Sequence, residues 1–318
     1  MQARLLHGVR AAGRTGPWAA QTSLAFAVGG AAACAFFSKE QRRERAVPPL
    51  WSPLARSRCA ACEGPAQVVH CATPGPSSPV ALITGSSSGI GRAVAERLAA
   101  EGYRVVVNSS ASVEAGTAVA KSLPGAVYIQ GDCSESSGCA DLVEKVVQKF
   151  GRLDVLICNA GVGKVIPHDR LDLIDDAYIQ KIFSLNCFGP LWLSRAAMPY
   201  LQKAPNGCVI MISSAAGSRP MGSSIPYSMT RASMNHLTKL LAKSFGPVRV
   251  NAVAPGLIRT RITDGAEWEA AYAAVAEKAP LHRVGEPEDM VEAVLCCLRA
   301  KYMTGQIIGV DGGAPLVF

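Results

Sequence analysis

From residue 80 to residue 310 the chain alternates short, continuously apolar runs with segments of helical period, and this alternation limits the available folds more than any other feature. Val80–Ile83 ends in a glycine turn and is followed by a helical period at Ile90, Val94 and Leu98, closed by Gly102. Val105–Val107 then leads to a helix ending near Leu123, Val127–Ile129 to one over Leu142–Phe150, and Val155–Ile157 to a long helical stretch through Leu201. Val209–Ile212 precedes a helix over about Tyr227–Phe245; Val248–Val253, a helix near Glu288–Leu298 and Ile307–Val310 complete the set. Runs with no polar alternation belong to strands buried on both faces, and strands separated by helices pair in parallel. Right-handed crossovers then give an α/β fold with a doubly wound, seven-stranded parallel sheet and helices on both faces. That body, residues 79–318, is expected to be a single domain.

The preceding residues are of another kind. Met1–Arg14 carries three arginines, and the first acidic residue is Glu40. This bias is typical of organelle transit peptides, so residues 1–45 read as a targeting leader for a mitochondrion or plastid. The apolar part of the uncharged stretch, Ala19–Phe37, approaches the ~20 residues a membrane helix needs. Its Ala and Gly content makes it a weak membrane anchor at best, with Lys39, Arg42, Arg43 and Arg45 favouring the cytoplasmic or matrix side for the flank that follows. Residues 46–78, rich in Pro, Ser, Ala and Cys, read as a disordered linker. The net charge of +8 also belongs mostly to this region: residues 1–79 hold nine Lys/Arg against three Glu, leaving +2 for the remaining 239 residues. No basic face for a nucleic acid is indicated. Eleven scattered cysteines do not form a secreted disulfide framework and favour a reducing compartment. Cys59 and Cys62 lack a second ligand pair, and His168, His236 and His282 lack partners at metal spacing, so no metal site is expected.

The first turn reads Thr84-Gly85-Ser86-Ser87-Ser88-Gly89-Ile90-Gly91, between the first strand and first helix. Glycines there let the backbone approach a phosphate, and free N–H groups at a helix start stabilise its charge. The turn is therefore a candidate seat for a dinucleotide pyrophosphate, as in a Rossmann-type sheet.

Its GxxxGxG spacing, with the ordered segments that follow, resembles the classical short-chain dehydrogenase/reductase family over essentially residues 79–318. The matching segments are Asp132, Cys158-Asn159-Ala160-Gly161, Asn186, Ser213-Ser214-Ala215-Ala216-Gly217, Tyr227, Arg249–Gly256, Thr304-Gly305-Gln306 and Val310-Asp311-Gly312-Gly313. The resemblance implies an NAD(P)-dependent oxidoreductase. The turn residues Gly85, Ser87, Ser88, Gly89, Ile90 and Gly91 would hold the pyrophosphate, with Asp132 and the adjoining Cys133 at the adenine. Asn159, Ala160 and Gly161 would line the cofactor, and Pro255, Gly256, Ile258 and Thr260 would close over the nicotinamide. Where the family marks NAD with an acid, this chain has Asn108. Without a carboxylate the 2′-phosphate of NADP meets no repulsion, and Asn108, Ser109 and Ser110 can donate hydrogen bonds to it. Ser88 and Ser109 stand where many NADP enzymes of the family place a cation, leaving Arg92 as a further phosphate partner. NADP(H) is preferred on this basis, with NAD(H) as the alternative.

Hydride transfer to a carbonyl leaves charge on oxygen, which needs an acid to donate a proton and a second donor to hold the oxyanion. Tyr227 is the natural acid, and Ser214, thirteen residues earlier, the donor to the substrate oxygen, ahead of Ser213. By resemblance Asn186 would hold a water of the proton relay. A tyrosine hydroxyl ionises near pH 10 and relays protons poorly unless a neighbouring cation stabilises its phenolate. One helical turn beyond Tyr227 that cation is Arg231, where the family pattern has lysine. Arginine keeps the charge and a fork able to reach ribose hydroxyls, and Arg231, like Tyr227, counts both as catalytic and as cofactor-binding. A guanidinium stays protonated in proteins, so it cannot pass a proton on.

The expected activity is NADP(H)-dependent reduction of a carbonyl to an alcohol, on a small-molecule or acyl-thioester substrate. The body looks closest to the 3-oxoacyl-carrier-protein reductase and carbonyl reductase branch. Residues 257–279, with Trp268 and Tyr272, should form the substrate lid, and Arg259 and Arg261 would suit an acidic carrier or coenzyme A phosphate. Family resemblance implies a homotetramer. Two alternatives remain: a cofactor-binding sensor or partner subunit disarmed by Arg231, and a membrane-anchored steroid or lipid dehydrogenase resting on Ala19–Phe37.

Overall fold

A computed structural model describes residues 74–318. The leader, its possible anchor and nearly all of the linker lie outside the described residues. Among those described, no helix is long and apolar enough to cross a membrane.

The seven apolar runs are seven strands: β1 (Val80–Ile83), β2 (Arg104–Ser109), β3 (Val127–Gln130), β4 (Val155–Cys158), β5 (Cys208–Ile212), β6 (Arg249–Pro255) and β7 (Ile307–Val310). They form one sheet in the order β3-β2-β1-β4-β5-β6-β7, all neighbours parallel. The order reverses between β1 and β4, and a ligand crevice opens beyond the strand ends at such a switch point.

The helices are α1 (Gly89–Ala100), α2 (Val113–Ser122), α3 (Ser136–Phe150), α4 (Asp176–Phe183), α5 (Gly189–Leu201), α6 (Ile225–Ser244), α7 (Glu269–Lys278) and α8 (Val291–Arg299). The pleat sorts each strand's side chains between two cores. Ala81 and Ile83 of β1 pack with Val94 and Leu98 of α1 and Val294 of α8. Val80 and Leu82 pack on the other face with Leu142 of α3, Leu193 of α5 and Met234 of α6. Both faces of the sheet are thus covered, which is why its strands carry no polar alternation.

The long helical stretch ending at Leu201 is a loop over residues 159–175, then two helices joined by a wide π turn over Ser184–Phe188. Gly189-Pro190 opens α5; proline withholds a backbone donor there. Helix α3 begins at Ser136, six residues before the expected start, because its first turn is polar.

Candidate active site

The glycine turn is stitched from both sides. Thr84 Oγ1 accepts from the N–H groups of Asn159 and Ala160, each at 3.1 Å, and the Asn159 amide donates to Thr84 O at 2.8 Å and Gly85 O at 3.1 Å. On the other side Ser86 Oγ donates to Ile83 O at 2.7 Å and accepts from the Asn108 N–H at 3.1 Å. Gly85 and Gly89 have φ of +64° and +56°, a region L side chains rarely enter, and a Cβ on Gly85 would lie 2.9 Å from Ala160 Cα. The result is a rigid turn that presents the start of α1, which has no acidic residue in its first turn. Gly91 lies outside the cavity lining and seats the helix instead: its Cβ would meet Asn159 Nδ2 at 2.5 Å.

Asn108 lines the cavity, but the expected donation from its amide is not available. Both amide hydrogens go to the ends of β3, to Ile129 O at 3.1 Å and Gly131 O at 3.2 Å, and its Oδ1 accepts from the Gly85 N–H at 3.4 Å. Ser109 Oγ is paired with Tyr128 Oη at 2.9 Å. Arg92 is also committed elsewhere, to Glu96 one turn along α1 at 2.7 Å. Asp132, through Oδ1, accepts from the Ser134 N–H at 2.8 Å, and its other oxygen has no protein partner. Cys133 beside it is a buried, free thiol.

Past β4, Gly161 makes room for Arg231, since a Cβ there would lie 2.6 Å from Arg231 Nη2. Gly161→Ala is therefore expected to push the guanidinium off its seat and weaken nucleotide binding together with turnover; unchanged binding constants in a titration would refute this. Asn186, in the π turn, is fully buried and outside the cavity lining. Its Oδ1 accepts from the Val162 N–H at 2.9 Å, and its amide donates to Val162 O at 2.8 Å and Thr230 Oγ1 at 3.4 Å. With those hydrogens spent, its side chain holds the loop after β4 and has none left to give a relay water.

Helix α6 sets the spacing of Tyr227 and Arg231. Ser224 caps it, its Oγ accepting from the Tyr227 N–H at 3.3 Å, and Pro226 favours the first turn. Tyr178 of α4 braces the cap, its Oη 3.0 Å from Ser224 Oγ. Tyr227 and Arg231 then share one face, with the Arg231 guanidinium carbon 4.8 Å from the Tyr227 ring centre. Arg231 is 3% exposed; Nη1 donates to Ile212 O at 3.2 Å, while Nε is buried without a partner. Among the described residues no carboxylate pairs with it. A buried cation without an acid is costly, which makes it a receptor for developing negative charge. Ser213 and Ser214 part roles after β5: Ser213 Oγ donates inward to Asn235 Oδ1 at 2.6 Å, whereas Ser214 Oγ accepts from the Ala216 N–H at 3.2 Å and keeps its own proton for the cavity.

The segment 257–279 comprises the turn Arg261–Thr263, a second turn at Ala266–Trp268, and α7. Thr260 lies over the glycine turn, its Cγ2 3.4 Å from where a Gly89 Cβ would be. Tyr272 is buried and donates to Thr263, so it pins this segment rather than facing a substrate. Arg259 is also engaged, 3.4 Å from Glu286 beyond the segment and stacked on Tyr272 within it. Arg261 is exposed and also lines the mouth of the cavity.

Beneath the lid, Asp289 accepts from Arg283 at 2.6 and 2.7 Å and from the Glu286 N–H at 2.8 Å. The guanidinium, then the backbone donor, hold its carboxyl down at about 2. That value lies below the ordinary aspartate value of about 3.9, so this stabilisation is complete above about pH 4 and is lost as pH falls toward 2. In urea unfolding, Asp289→Asn should therefore show its full deficit at neutral pH and a shrinking one below about pH 4. A deficit independent of pH would contradict this.

These parts enclose one cavity of about 420 Å³. Of the candidates, Gly85, Ser87, Ser88, Gly89, Ile90, Asn108, Ser109, Asp132, Cys133, Asn159, Ala160, Gly161, Ser214, Tyr227, Arg231, Pro255, Gly256, Ile258 and Thr260 all line it. The lining also includes Ser112, Val162 and Ile262, which sequence reasoning missed because loops carry no periodicity. A dinucleotide fits this donor set: Ser87 Oγ and Arg231 Nε are buried without partners, and the glycine turn is a cradle that side chains would fill. Burial pushes the thiol of Cys158, beneath the floor, up from its ordinary value, so it stays protonated.

A family model described as enoyl-(acyl carrier protein) reductase matches residues 85–315. The chain is 52% identical over 248 residues to a protein named as a ketoacyl reductase of the granaticin polyketide synthase in Streptomyces violaceoruber, covering 77% of this chain and 100% of that one. It is 35% identical over 243 residues to the 3-oxoacyl-acyl-carrier-protein reductase FabG of Thermotoga maritima, covering 74% of this chain and 96% of that one. A crystal structure described as a short-chain dehydrogenase/reductase from Burkholderia xenovorans superposes with a TM-score of 0.69 at 33% identity, covering 76% of this chain and 99% of the other.

Proposed function

The chain belongs to the short-chain dehydrogenase/reductase family of NAD(P)-dependent oxidoreductases, and from that membership we propose that it is an NADP(H)-preferring reductase of 3-oxoacyl thioesters or related carbonyls, with Tyr227 as acid. The observation that carries this is the convergence of Ser214, Tyr227 and Arg231 on the cavity that the glycine turn floors. The names of the two relatives described above support the substrate class.

NADPH, when bound, supplies the hydride that reaches the carbonyl carbon. The chain's residues manage the oxygen. Ser214 Oγ donates a hydrogen bond to it, and Tyr227 Oη transfers its proton to it as the alcohol forms. Arg231 faces the phenolate left behind. The guanidinium carbon lies 4.8 Å from the ring centre, and a cation that close to a developing phenolate favours its charged form. Since a guanidinium keeps its proton, Tyr227 regains its own from solvent that enters the cavity. Asn186 is a positioning residue that fixes the loop carrying Gly161. The Arg231 fork, with Nη2 against Gly161, would also take the nicotinamide ribose hydroxyls.

NADP(H) is favoured over NAD(H) because the cavity wall at and after the end of β2 holds Asn108 in place of a carboxylate and adds the hydroxyls of Ser110 and Ser112. We also read the protein as a homotetramer; exposed Phe188, Leu191, Met229 and Leu240 on and beside α5 and α6 offer apolar surface for it. The composition of residues 1–45 supports an organellar address. Oxidation of NADPH and NADH with a panel of 3-oxoacyl thioesters, diketones and ketosteroids tests the reading. Turnover of the thioesters with NADPH is expected, and faster oxidation of NADH would reverse the cofactor assignment.

A further inference from the structure

We infer that Arg261, on the lid, is the residue that recognises the adenosine 2′-phosphate, with Ser112 as its partner across the cavity mouth; this rests on the NADP(H) reading above. The Arg261 side chain leaves the turn after β6 and spans to the start of α2, where Nη1 donates to Ser112 Oγ at 3.1 Å. Both residues line the cavity. A bond to a neutral hydroxyl is a small return for ordering an exposed arginine, whereas a bidentate pair with a phosphate is a strong one.

Among the described residues, the Asn108 amide and the other arginines that could bind this phosphate are occupied. The Asn108 amide is spent on Ile129 and Gly131, Arg92 is paired with Glu96, and Arg259 with Glu286. Arg231 lies buried against Ile212 and Tyr227. Arg261 has no carboxylate partner among the described residues, and Nε and Nη2 have no protein acceptor there. The only acid in the lining is Asp132, held beyond the end of β3. Among the described residues, Arg261 is therefore the cation left free to meet an added negative charge beside Ser109, Ser110 and Ser112. Its place in the chain adds a consequence: it follows Thr260, which lies over the glycine turn, and precedes Thr263, which Tyr272 pins. An anion held by Arg261 fastens the lid onto the nucleotide.

The test is a binding measurement on the full chain. NADPH and NADH are titrated by nicotinamide fluorescence, with 2′,5′-ADP and 5′-AMP as competitors that differ only in the 2′-phosphate. The wild-type protein should prefer the 2′-phosphorylated member of each pair. Arg261→Ala should weaken NADPH and 2′,5′-ADP by about 10- to 100-fold and leave NADH and 5′-AMP within about twofold, the size of a lost charged hydrogen bond. Arg261→Lys should recover part of the loss. Preference retained in Arg261→Ala would overturn this assignment and spare the NADP(H) reading. Equal weakening of both members would make Arg261 a contact to the shared part of the nucleotide and overturn it too. Absence of any preference in the wild-type protein would remove both.

Discussion

Replacing Tyr227 with Phe is expected to cut kcat by about 10²- to 10⁴-fold, the usual contribution of a positioned general acid. The substitution removes a single oxygen and leaves the ring stacked on Arg231 and the Ser224 cap in place. NADPH affinity and urea midpoint should therefore stay close to wild type. A fall in kcat with an equal fall in stability would make Tyr227 a structural residue. Ser214→Ala should act on the same step by a smaller factor, because it takes one hydrogen bond from the substrate oxygen and no proton.

The second large effect belongs to Arg231. Met in its place preserves length and apolar packing but removes the cation stacked on the Tyr227 ring. Losing a group that stabilises the developing charge is expected to cost about 10²- to 10³-fold in turnover. Nucleotide binding should weaken as well, because the buried fork is also the donor nearest Gly161. Arg231→Lys separates charge from shape. An ammonium supplies the same attraction and can exchange a proton, so this variant should turn over at least as fast as the wild-type protein, although it gives up the hold on Ile212 O. A variant slower than Arg231→Met would show that the cavity has been rebuilt around the planar guanidinium.

The fold was legible because parallel strands buried on both faces leave continuous apolar runs, and the Val80–Ile83 and Val209–Ile212 runs are strands β1 and β5. The break between α4 and α5 was signalled by Gly189-Pro190, but a residue pattern of helical period runs across it, and the π turn that buries Asn186 has no period of its own. At the site, residue types and spacing pointed to residues that line one cavity, while side-chain direction was not readable. Asn108 turns its amide to the carbonyls that end β3, which need donors where the ladder stops. Arg259 and Arg261 are two residues apart in a loop, one bound to Glu286 and the other aimed across the cavity, a difference set by the turn at Arg261–Thr263. The Arg92 and Glu96 pair did carry a signal, since charges four apart on a helix meet.

We propose that this member of the family works as a reductase with arginine in place of lysine beside its tyrosine. The most direct test is NADPH oxidation by the wild-type protein with a 3-oxoacyl thioester, run beside Tyr227→Phe and Arg231→Lys. Turnover by the wild-type protein that disappears in Tyr227→Phe and persists in Arg231→Lys is the predicted result. Tight NADPH binding with no turnover until Arg231 is changed to Lys would contradict it, leaving a cofactor-binding protein whose chemistry has been switched off.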